Sequence, residues 1–301
     1  MRLWNFFFNL RVLVNTVRIA SWNVNSVRAR LHNILDWLSN LEIDVILIQE
    51  IKCVEEQFPR LEFEALGYEV AINGQKSYNG VAILSKSPMT EVKSDLPNYI
   101  EDEQSRYIEA KIKGVVFASI YLPNGNPINS DKFNYKIKWM ERLKNHSKQL
   151  LDLELPIVLG GDFNVVPCDD DVHDPIRWQN DALCQPETRK RYRELINVGF
   201  SDAFRIFNDA PGRYTFWDYQ AGAWQNDHGV RIDHFLLSPQ AADICSSCSI
   251  DTSPRGKSKA SDHTPILLSL IHITEPTRRT PISNSVICLK KKKGGGGGGG
   301  G

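Results

Sequence analysis

Residues 155 to 164 read Leu155-Pro156-Ile157-Val158-Leu159-Gly160-Gly161-Asp162-Phe163-Asn164. The short apolar run predicts a buried β-strand, and two small oxygen-bearing side chains follow where the strand ends. Asp162 and Asn164 lie two residues apart, so an extended backbone directs both side chains to one side. The two glycines allow another group to approach the backbone closely. Taken alone, the stretch is more typical of a strand followed by an Asx turn than of a functional site.

Other apolar runs in the chain also meet polar side chains at their ends. Asn23 follows the run 17–22, Glu50 follows 44–48, Tyr121 follows 115–120, Asp233 lies within 230–237, and Asp262 with His263 precedes 265–271. Each side chain has an ordinary explanation as a turn former, a rim aromatic or a satisfied core group. The recurrence of the pattern is hard to attribute to chance, and it predicts one shared polar site.

Helical spacing separates several of these runs. The predicted helices are 28–41, a long one capped by Ser130 and running to about residue 151 with Phe133, Ile137, Met140 and Leu143 on one face, and 186–199 with a glycine stop. Residues 68–73 and 80–85 predict a hairpin. Because strands and helices alternate without a linker, residues 17–271 are predicted to be a single α/β domain.

The two ends of the chain do not fit this pattern. Residues 1–16 are apolar but interrupted by polar side chains, which is a poor match to a signal peptide or a membrane span. They are interpreted as a disordered or mis-assigned leader. Residues 272–301 pass into four lysines and eight glycines, so they are interpreted as an unstructured and artefactual tail. We therefore expect a protein that is not secreted and that works in the cytoplasm of a bacterial-type cell, without a membrane partner.

The charge balance excludes one way of binding a polyanion. The chain has 36 basic and 36 acidic residues, but 28 basic and 35 acidic residues remain when the two ends are removed. A protein that binds nucleic acid through bulk positive potential does not have this balance. A local basic track or bound cations would have to attract any polyanionic ligand.

The polar side chains favour a hard cation. They offer carboxylates, amides and a phenol with a single imidazole and no thiol, which suits Mg²⁺, or Mn²⁺, rather than zinc. Cys245 and Cys248 have the spacing of half a zinc site, but no second ligand pair follows. A hard cation held by carboxylates is the usual partner of a phosphate ester, so the inferred reaction is phosphodiester hydrolysis.

Seven short segments carry most of these polar residues. They are Ser21-Trp22-Asn23-Val24-Asn25-Ser26-Val27-Arg28-Ala29-Arg30, Gln49-Glu50-Ile51-Lys52, Tyr121-Leu122-Pro123-Asn124-Gly125, Gly161-Asp162-Phe163-Asn164, Phe216-Trp217-Asp218-Tyr219, Arg231-Ile232-Asp233 and Ser261-Asp262-His263. Together, in this order, they resemble the exonuclease III family of abasic-site DNA endonucleases, within the endonuclease/exonuclease/phosphatase superfamily. The resemblance implies a four-layer α/β sandwich, in which two mixed β-sheets pack face to face with helices outside.

The resemblance also implies which residues act on the metal and on the attacking water. Glu50 would bind Mg²⁺, with Asn23 and Asp262 close to the metal. Asp162 would orient or deprotonate the water. Tyr121 would lie near the leaving oxygen, either as an acid or as a hydrogen-bond donor.

Three further residues are implied to act on the scissile phosphate. Asn164 and His263 would hold it, and Asp233 would fix the tautomer and charge of His263, as a carboxylate does for imidazole generally. In-line attack gathers charge on phosphate oxygens, so it needs positioned donors and a cation.

A separate set of residues is implied to recognise the DNA. Arg28, Lys52 and Asn124 match positions near the DNA backbone, Phe216 and Ile232 match an apolar pocket for a flipped abasic sugar, and Trp224 is a candidate wedge in the duplex. Trp224 could equally pack on its own loop. The expected substrate is duplex DNA with abasic sites or blocked 3′ ends, cleaved by a monomer.

Two positions depart from the family pattern. Val230 stands where some relatives carry tryptophan, and Ile51 stands where the family usually shows threonine beside the metal-binding glutamate. A hydroxyl at Ile51 could support the metal ligands, so metal affinity could differ, although we expect activity to be retained.

Two other functions are compatible with parts of this pattern. A superfamily relative with another phosphoester substrate, such as a sphingomyelinase or an inositol-phosphate phosphatase, would share the core of Glu50, Asp162, Asn164 and Asp262-His263. It would have no reason to keep Arg28-Ala29-Arg30, Phe216-Trp217 and Arg231-Ile232-Asp233 in the form of the exonuclease III family. A non-catalytic DNA-binding protein is disfavoured by the intact polar set and by the acidic net charge.

Overall fold

The computed structural model describes residues 14–97 and 102–273. Most of the predicted leader and nearly all of the predicted tail therefore lie outside the described residues. Residues Asn15–His272 form one compact unit. The first strand already begins at Val14, so the last three residues of the predicted leader belong to it.

The described residues form twelve strands. They are β1 (Val14–Asn23), β2 (Val45–Gln49), β3 (Glu69–Asn73), β4 (Val81–Ser85), β5 (Thr90–Ser94), β6 (Tyr107–Ile112), β7 (Val115–Tyr121), β8 (Ile157–Asp162), β9 (Ser201–Asp202), β10 (Asp233–Leu237), β11 (Cys245–Ile250) and β12 (Ile266–Ile273). Sheet A has the order β11-β12-β1-β2-β4-β3, and sheet B has the order β5-β6-β7-β8-β10-β9. Both sheets are mixed, because the β1–β2 and β7–β8 pairs are parallel while the β2–β4, β6–β7 and β8–β10 pairs are antiparallel.

Seven α-helices lie in the same part of the chain. They are α1 (Leu31–Ser39), α2 (Arg60–Glu64), α3 (Asp131–Leu151), α4 (Pro175–Trp178), α5 (Pro186–Asn197), α6 (Ala203–Phe207) and α7 (Pro239–Asp243). The sequence predicted α1, α3 and α5, although α1 is shorter at both ends than expected. In the described ranges, no helix combines the length and the apolar character that crossing a membrane requires.

The predicted four-layer sandwich is confirmed by the packing of the two sheets. Apolar side chains from both sheets, such as Leu47, Phe117 and Phe235, form one central core. On the outer face of sheet A, Trp22 packs with residues of α1 and α2, and on the outer face of sheet B a third core contains residues of α3 and α5. The order of layers is therefore helix, sheet, sheet, helix.

The two glycines of the opening stretch are required by neighbours inside the protein. A Cβ on Gly161, where φ is 153°, would lie 1.9 Å from the carbonyl oxygen of Ile120 on β7. A Cβ on Gly160 would lie 2.6 Å from Leu47 on the opposite sheet and 2.6 Å from Phe235. The predicted close approach is confirmed, and it comes from the adjacent strand and from the facing sheet.

A buried hydrogen-bonded bridge joins the two sheets beneath the polar strand ends. The Ser119 hydroxyl donates to the carbonyl of Ile48 at 3.0 Å, and the Gln49 side-chain amide donates to the same hydroxyl at 3.0 Å. Gln49 also donates to Ser21 at 3.2 Å. These bonds fix the end of β7 relative to β1 and β2, so the strand ends of both sheets keep one relative position.

Helix α3 differs from its prediction in two respects. Ser130 occupies the N-cap position, but its hydroxyl donates to the carbonyl of Pro127 at 2.5 Å and makes no capping bond. The buried face also includes Lys136, whereas Phe133 and Ile137 are only half-buried. The prediction placed apolar side chains on this face and gave no place to a lysine.

Candidate active site

The strand ends that the sequence singled out meet in one place. Asn23 pairs with Gln49 across the parallel strands β1 and β2, so Glu50 follows directly beside it. Tyr121 pairs with Asp162 across β7 and β8, and Asp162 pairs with Asp233 across β8 and β10. Because the two sheets face each other, these ends form opposite walls of a single cleft.

The cleft has a volume of about 280 Å³. Nine of the predicted site residues line it, namely Glu50, Tyr121, Asn124, Asp162, Asn164, Phe216, Ile232, Asp262 and His263. Five lining residues had no predicted role, namely Asn126, Trp178, Asp181, Leu183 and Asp218. The structure therefore brings together most of the predicted set. It adds a side formed by the carboxylate of Asp181 and the apolar side chains of Trp178 and Leu183.

Asp162, His263 and Asp233 form a buried chain of ionisable groups. The Nδ1 of His263 lies 2.9 Å from Asp233 Oδ2, and its Nε2 lies 3.7 Å from Asp162 Oδ2. Thr215 accepts hydrogen bonds from the backbone N–H groups of Ile232 and Asp233, both at 3.1 Å, and so fixes the start of β10. The imidazole is thus held from one side by Asp233 and presents Nε2 to the cleft.

Burial and mutual charge shift the pKa values of this chain of groups. Burial raises the pKa of Asp162 to about 7, since the neighbouring carboxylates of Asp233 and Glu50 add to the rise while His263 opposes it. Burial lowers the pKa of His263, but the facing carboxylates of Asp233 and Asp162 outweigh it and raise that pKa to about 10. At neutral pH the imidazole is therefore a cation with N–H donors, which suits binding of a phosphate oxygen.

Glu50 lies at the opposite side of the cleft, between two nitrogen donors. Asn23 Nδ2 donates to Glu50 Oε1 at 2.9 Å and to Asp162 Oδ2 at 3.0 Å. The ammonium of Lys52 lies 2.6 Å from Glu50 Oε2. Burial raises the pKa of Glu50, but the charge and hydrogen bond of Lys52, with the hydrogen bond of Asn23, lower it below its ordinary value. Glu50 is thus held as a carboxylate.

Three side chains could hold a metal ion together. Ligand atoms of Glu50, Asp162 and His263 all lie within 4.8 Å of one another. Their donor set, with two carboxylates and one imidazole, fits a hard divalent cation better than zinc, whose sites are usually richer in imidazole or thiolate. Asp262, predicted as a metal neighbour, is not in this group, and its Oδ1 accepts from Asn25 Nδ2 at 3.0 Å. Asn23 faces the carboxylates with its amide nitrogen, so ligation through its oxygen would require the amide to turn over.

The asparagines of the other wall are joined to each other. Asn124 Nδ2 donates to Asn164 Oδ1 at 3.1 Å, and Asn164 Nδ2 donates to the carbonyl of Leu122 at 2.8 Å. The backbone N–H of Asn164 donates to Asp162 Oδ1 at 2.9 Å. One amide hydrogen on each asparagine remains free to meet a ligand oxygen.

Tyr121 stands between the two walls as a neutral phenol. Burial raises its pKa well above the ordinary value, and the nearby carboxylates of Glu50 and Asp162 add to this while Arg106 opposes it. The guanidinium of Arg106 lies over the phenol ring, 4.7 Å from its centroid. At neutral pH the hydroxyl is therefore a hydrogen-bond donor.

An apolar wall closes one side of the cleft. It contains Phe216 and Ile232, as predicted, together with Trp178 and Leu183. The ring of Phe216 also packs edge-on against His263, with centroids 4.9 Å apart. Val230 lies fully buried behind this wall rather than in the cleft.

The remaining predicted DNA-binding residues are distributed differently. Arg28 is exposed. Trp224 is half-buried and packs edge-on against Trp217 at 4.9 Å, with Arg255 over its ring at 5.4 Å. This packing favours the alternative that Trp224 belongs to its own loop, because a wedge would have to leave these contacts. Lys52 is bound to Glu50, as described above.

Asn25 and Tyr219 were not predicted as site residues. Asn25 contacts Asp262 and also accepts from Lys52 Nζ at 2.5 Å, while its amide lies 3.4 Å from the hydroxyl of Tyr219. Arg30 donates to the same hydroxyl at 2.9 Å. No local pattern indicated these contacts, because β1 ends at Asn23 and Asn25 lies in the turn that follows it, with a φ of 45°.

A basic groove of about 380 Å³ begins beside Tyr219. Its charged lining residues are Arg30, Arg255, Lys257 and Lys259. No carboxylate is among the described residues that line it. The groove is a local basic track in a domain whose acidic residues outnumber its basic ones.

Ile51 has no access to the metal-binding side chains. Its side chain is fully buried in the core outside sheet A, and a Cβ on Gly80 would lie 2.4 Å from its Cγ1. Residue 51 therefore acts on the packing of the loop beneath Glu50.

The N- and C-terminal strands are joined directly at the site. Trp22 Nε1 donates to the carbonyl of His263 at 3.2 Å, and the Ser261 hydroxyl donates to the carbonyl of Asn23 at 2.7 Å. These two bonds place Asp262 and His263 next to the end of β1, which the pattern of strand ends predicted.

Comparison with known proteins agrees with the fold and with the motifs. The profile of the Endonuclease/Exonuclease/phosphatase family matches residues 20–263. Exodeoxyribonuclease III of Haemophilus influenzae is 33% identical over 262 residues, which cover 83% of this chain and 98% of that protein. An AP endonuclease from Archaeoglobus fulgidus has a TM-score of 0.81 at 37% identity, over 84% of this chain and 98% of that chain.

A second solved structure is equally similar. A 3′ phosphatase from Neisseria, bound to a product DNA hairpin, has a TM-score of 0.83 at 33% identity, over 84% of this chain and 99% of that chain. The family match, the identities and the cleft agree, so the chain belongs to the endonuclease/exonuclease/phosphatase family, and within it to the exonuclease III type of abasic-site nucleases.

Proposed function

We propose that this chain is a Mg²⁺-dependent DNA repair phosphodiesterase that cleaves duplex DNA on the 5′ side of abasic sites, with 3′→5′ exonuclease and 3′-phosphatase activity. The observation that carries the proposal is the convergence of Glu50, Asp162 and His263 beside the apolar wall of Phe216 and Ile232. The first three groups suit phosphate-ester hydrolysis, and the wall suits a sugar without a base.

The residues divide the chemistry between the two walls. Asp162 orients the attacking water and accepts its proton, since its buried carboxylate has a raised pKa and is therefore a stronger base than an exposed aspartate. Protonated His263, held by Asp233, and the free amide hydrogen of Asn164 bind the phosphate oxygens. The Tyr121 hydroxyl donates to the leaving oxygen.

Glu50 would hold the metal ion, with Asn23 and Asp262 close to it, whereas protonated His263 would face the phosphate rather than the ion. Bound there, Mg²⁺, or Mn²⁺ in its place, would neutralise charge on the phosphate.

DNA binding is assigned to both sides of the cleft. Asn124 contacts a backbone phosphate on one side, and exposed Arg28 lies with Lys52 on the other. The basic groove, defined by Arg30, Arg255, Lys257 and Lys259, lengthens that second side. Phosphate contacts of this kind position a duplex without reading its sequence, so recognition rests on the pocket at Phe216 and Ile232, which admits a sugar extruded without a base.

The same active groups would serve another phosphoester, so the substrate must be tested directly. The chain is incubated with duplex DNA that carries one abasic site, with Mg²⁺ or with EDTA, and in parallel with a sphingomyelin and an inositol phosphate. We expect Mg²⁺-dependent incision 5′ to the abasic site by a monomeric protein. Hydrolysis of the lipid or inositol phosphoester without DNA incision would overturn the proposal.

Two variants separate metal binding from catalysis. Glu50→Ala is expected to need far more Mg²⁺ for the same rate, whereas Asp162→Ala is expected to lose turnover and keep DNA binding. Loss of DNA binding in Asp162→Ala, measured in EDTA by fluorescence anisotropy, would contradict the assigned role.

We propose the cytoplasm as the location. The described cysteines are all free thiols, which is typical of a reducing compartment.

A further inference from the structure

Lys136 is a charged side chain that the proposed chemistry does not use. It lies in the middle of α3, and its side chain is completely buried. Its ammonium donates to three backbone carbonyls, those of Asn164 at 2.6 Å, Asn124 at 3.0 Å and Ala182 at 3.3 Å. All three ammonium hydrogens are therefore used, and every acceptor is main chain.

The three carbonyls belong to three separate segments of the cleft. One follows β7, one follows β8 and one precedes α5, and their neighbouring side chains Asn124, Asn164 and Leu183 line the cleft. A single ammonium thus joins three segments that are otherwise far apart in the chain. Two of them carry the amides that are proposed to contact phosphate.

The loops are shaped around the lysine. At Gly125, where φ is 88°, a Cβ would lie 2.6 Å from Lys136 Cδ, so the loop after β7 can wrap over the aliphatic stem only with glycine at this position. Asn164 has a φ of 49°, a left-handed conformation that asparagine adopts more readily than most residues with a Cβ. The Lys136 ammonium holds this turn through the Asn164 carbonyl at 2.6 Å.

Keeping this charge buried is costly. Burial lowers the pKa of Lys136 to about 7, although Asp181 and Asp162 oppose the change. A methionine would fill the same space without that cost, so packing alone does not account for a lysine. The lysine also places its positive charge behind the amides of the phosphate-binding wall.

We propose that Lys136 is a positioning residue of the nuclease, whose ammonium holds the backbones of Asn164 and Asn124 at the separation that directs the Asn164 amide to the scissile phosphate. The inference rests on the proposed DNA phosphodiesterase function. It differs from a purely structural role because the lysine acts through Asn164, so its removal lowers kcat and leaves ground-state DNA binding largely unchanged.

The test uses Lys136→Met, Lys136→Gln and the matched control Lys138→Met, which removes an exposed lysine from the same helix. Thermal unfolding checks that each variant folds.

Incision of abasic duplex DNA under saturating Mg²⁺ gives kcat and KM, and anisotropy in EDTA gives DNA affinity. We expect Lys136→Met to lower kcat about 10- to 100-fold, as displacement of a substrate-positioning group by about 1 Å does, with DNA affinity within about threefold of the wild type. Lys136→Gln should lose less, because its amide can still donate.

A double variant tests whether the lysine acts through the asparagine. Lys136→Met combined with Asn164→Ala should lose no more than about threefold beyond Asn164→Ala alone, because coupled residues are not additive. Independent, multiplying losses would overturn the proposal, as would Lys136→Met with wild-type kcat, or both Lys136 variants failing to fold. If the wild type cleaves no abasic DNA, the proposed function fails and the inference fails with it; an active wild type with an equally active Lys136→Met overturns the inference alone.

Discussion

Replacing Lys52 by methionine is expected to tighten binding of divalent cations and to weaken binding of DNA. The Lys52 ammonium lies 2.6 Å from Glu50 Oε2 and 2.5 Å from Asn25 Oδ1. A cation bound by Glu50 would share the carboxylate with this second positive charge. The positive charge of Lys52 thus stabilises the ionised carboxylate of Glu50 but repels the metal ion that this carboxylate is proposed to bind.

The size of the effect follows from these distances. The ammonium lies 2.6 Å from Oε2. An ion about 2.1 Å from the same oxygen would therefore lie no more than about 4.7 Å from the ammonium, and about 7 Å away if it took the other oxygen. Charges of one and two at such separations repel by about 1 to 2 kcal/mol at the dielectric constant of water. The repulsion at the site is at least this large, because the side chains of Lys52 and Glu50 are 28% and 16% exposed and water screens them less than it screens charges in bulk solvent. We expect the Kd for the ion to fall at least about tenfold.

The assay measures metal binding without catalysis. Mn²⁺ is titrated into the DNA-free protein at low ionic strength and followed by electron paramagnetic resonance, and Mg²⁺ is titrated by calorimetry. Lys138→Met serves as the control, because it removes the same charge from an exposed position. An unchanged or raised Kd for Lys52→Met would refute the reasoning, since it would show that the ammonium and the ion do not compete at Glu50.

Three further predictions follow from the described geometry. Ile51→Thr should leave the Kd for Mg²⁺ within about twofold and lower the free energy of unfolding by about 1 to 2 kcal/mol, because residue 51 packs in the core against Gly80. A large gain in metal affinity would instead show that the native site is impaired. The kcat/KM at limiting Mg²⁺ should rise with pH through about 7, because Asp162 must be ionised to accept a proton and burial raises its pKa to about 7. Saturating Mg²⁺ should move the midpoint of this rise to lower pH, and a kcat/KM independent of pH from 5.5 to 8.5 would contradict the prediction. Gly161→Ala should cost at least about 3 kcal/mol in urea unfolding or prevent folding, because its Cβ would lie 1.9 Å from the Ile120 oxygen; wild-type stability would contradict the packing.

The fold was predictable because its buried strands are short apolar runs with polar ends. Residues 155–164 set the pattern, and the same pattern located the ends of β1, β2 and β7. The edge strand β5 has no such pattern, since all five of its side chains are exposed, and no apolar periodicity indicated it. The two-residue strand β9 is too short for periodicity to indicate.

The site was predictable where function depends on residue type at a strand end, as for Glu50, Asp162 and His263. It was not predictable where function depends on contacts across the sequence. Tyr219 meets Asn25 across 194 residues, and no local pattern encodes that pair. Lys136 was missed for another reason. A charged residue on a helix is ordinarily solvated, and no feature of the neighbouring sequence indicates that three backbone carbonyls converge on its ammonium.

The bonds from Trp22 to His263 and from Ser261 to Asn23 have a consequence for the protein during its synthesis on the ribosome. They join residues 241 and 238 positions apart, so Glu50 and Asp162 are synthesised well before His263, the last of the predicted catalytic residues. A chain still on the ribosome, with β12 not yet emerged, carries Glu50 and Asp162 but no His263 beside them. We therefore expect the nascent chain to be harmless to DNA, and cleavage to begin only when the final strand docks beside the first.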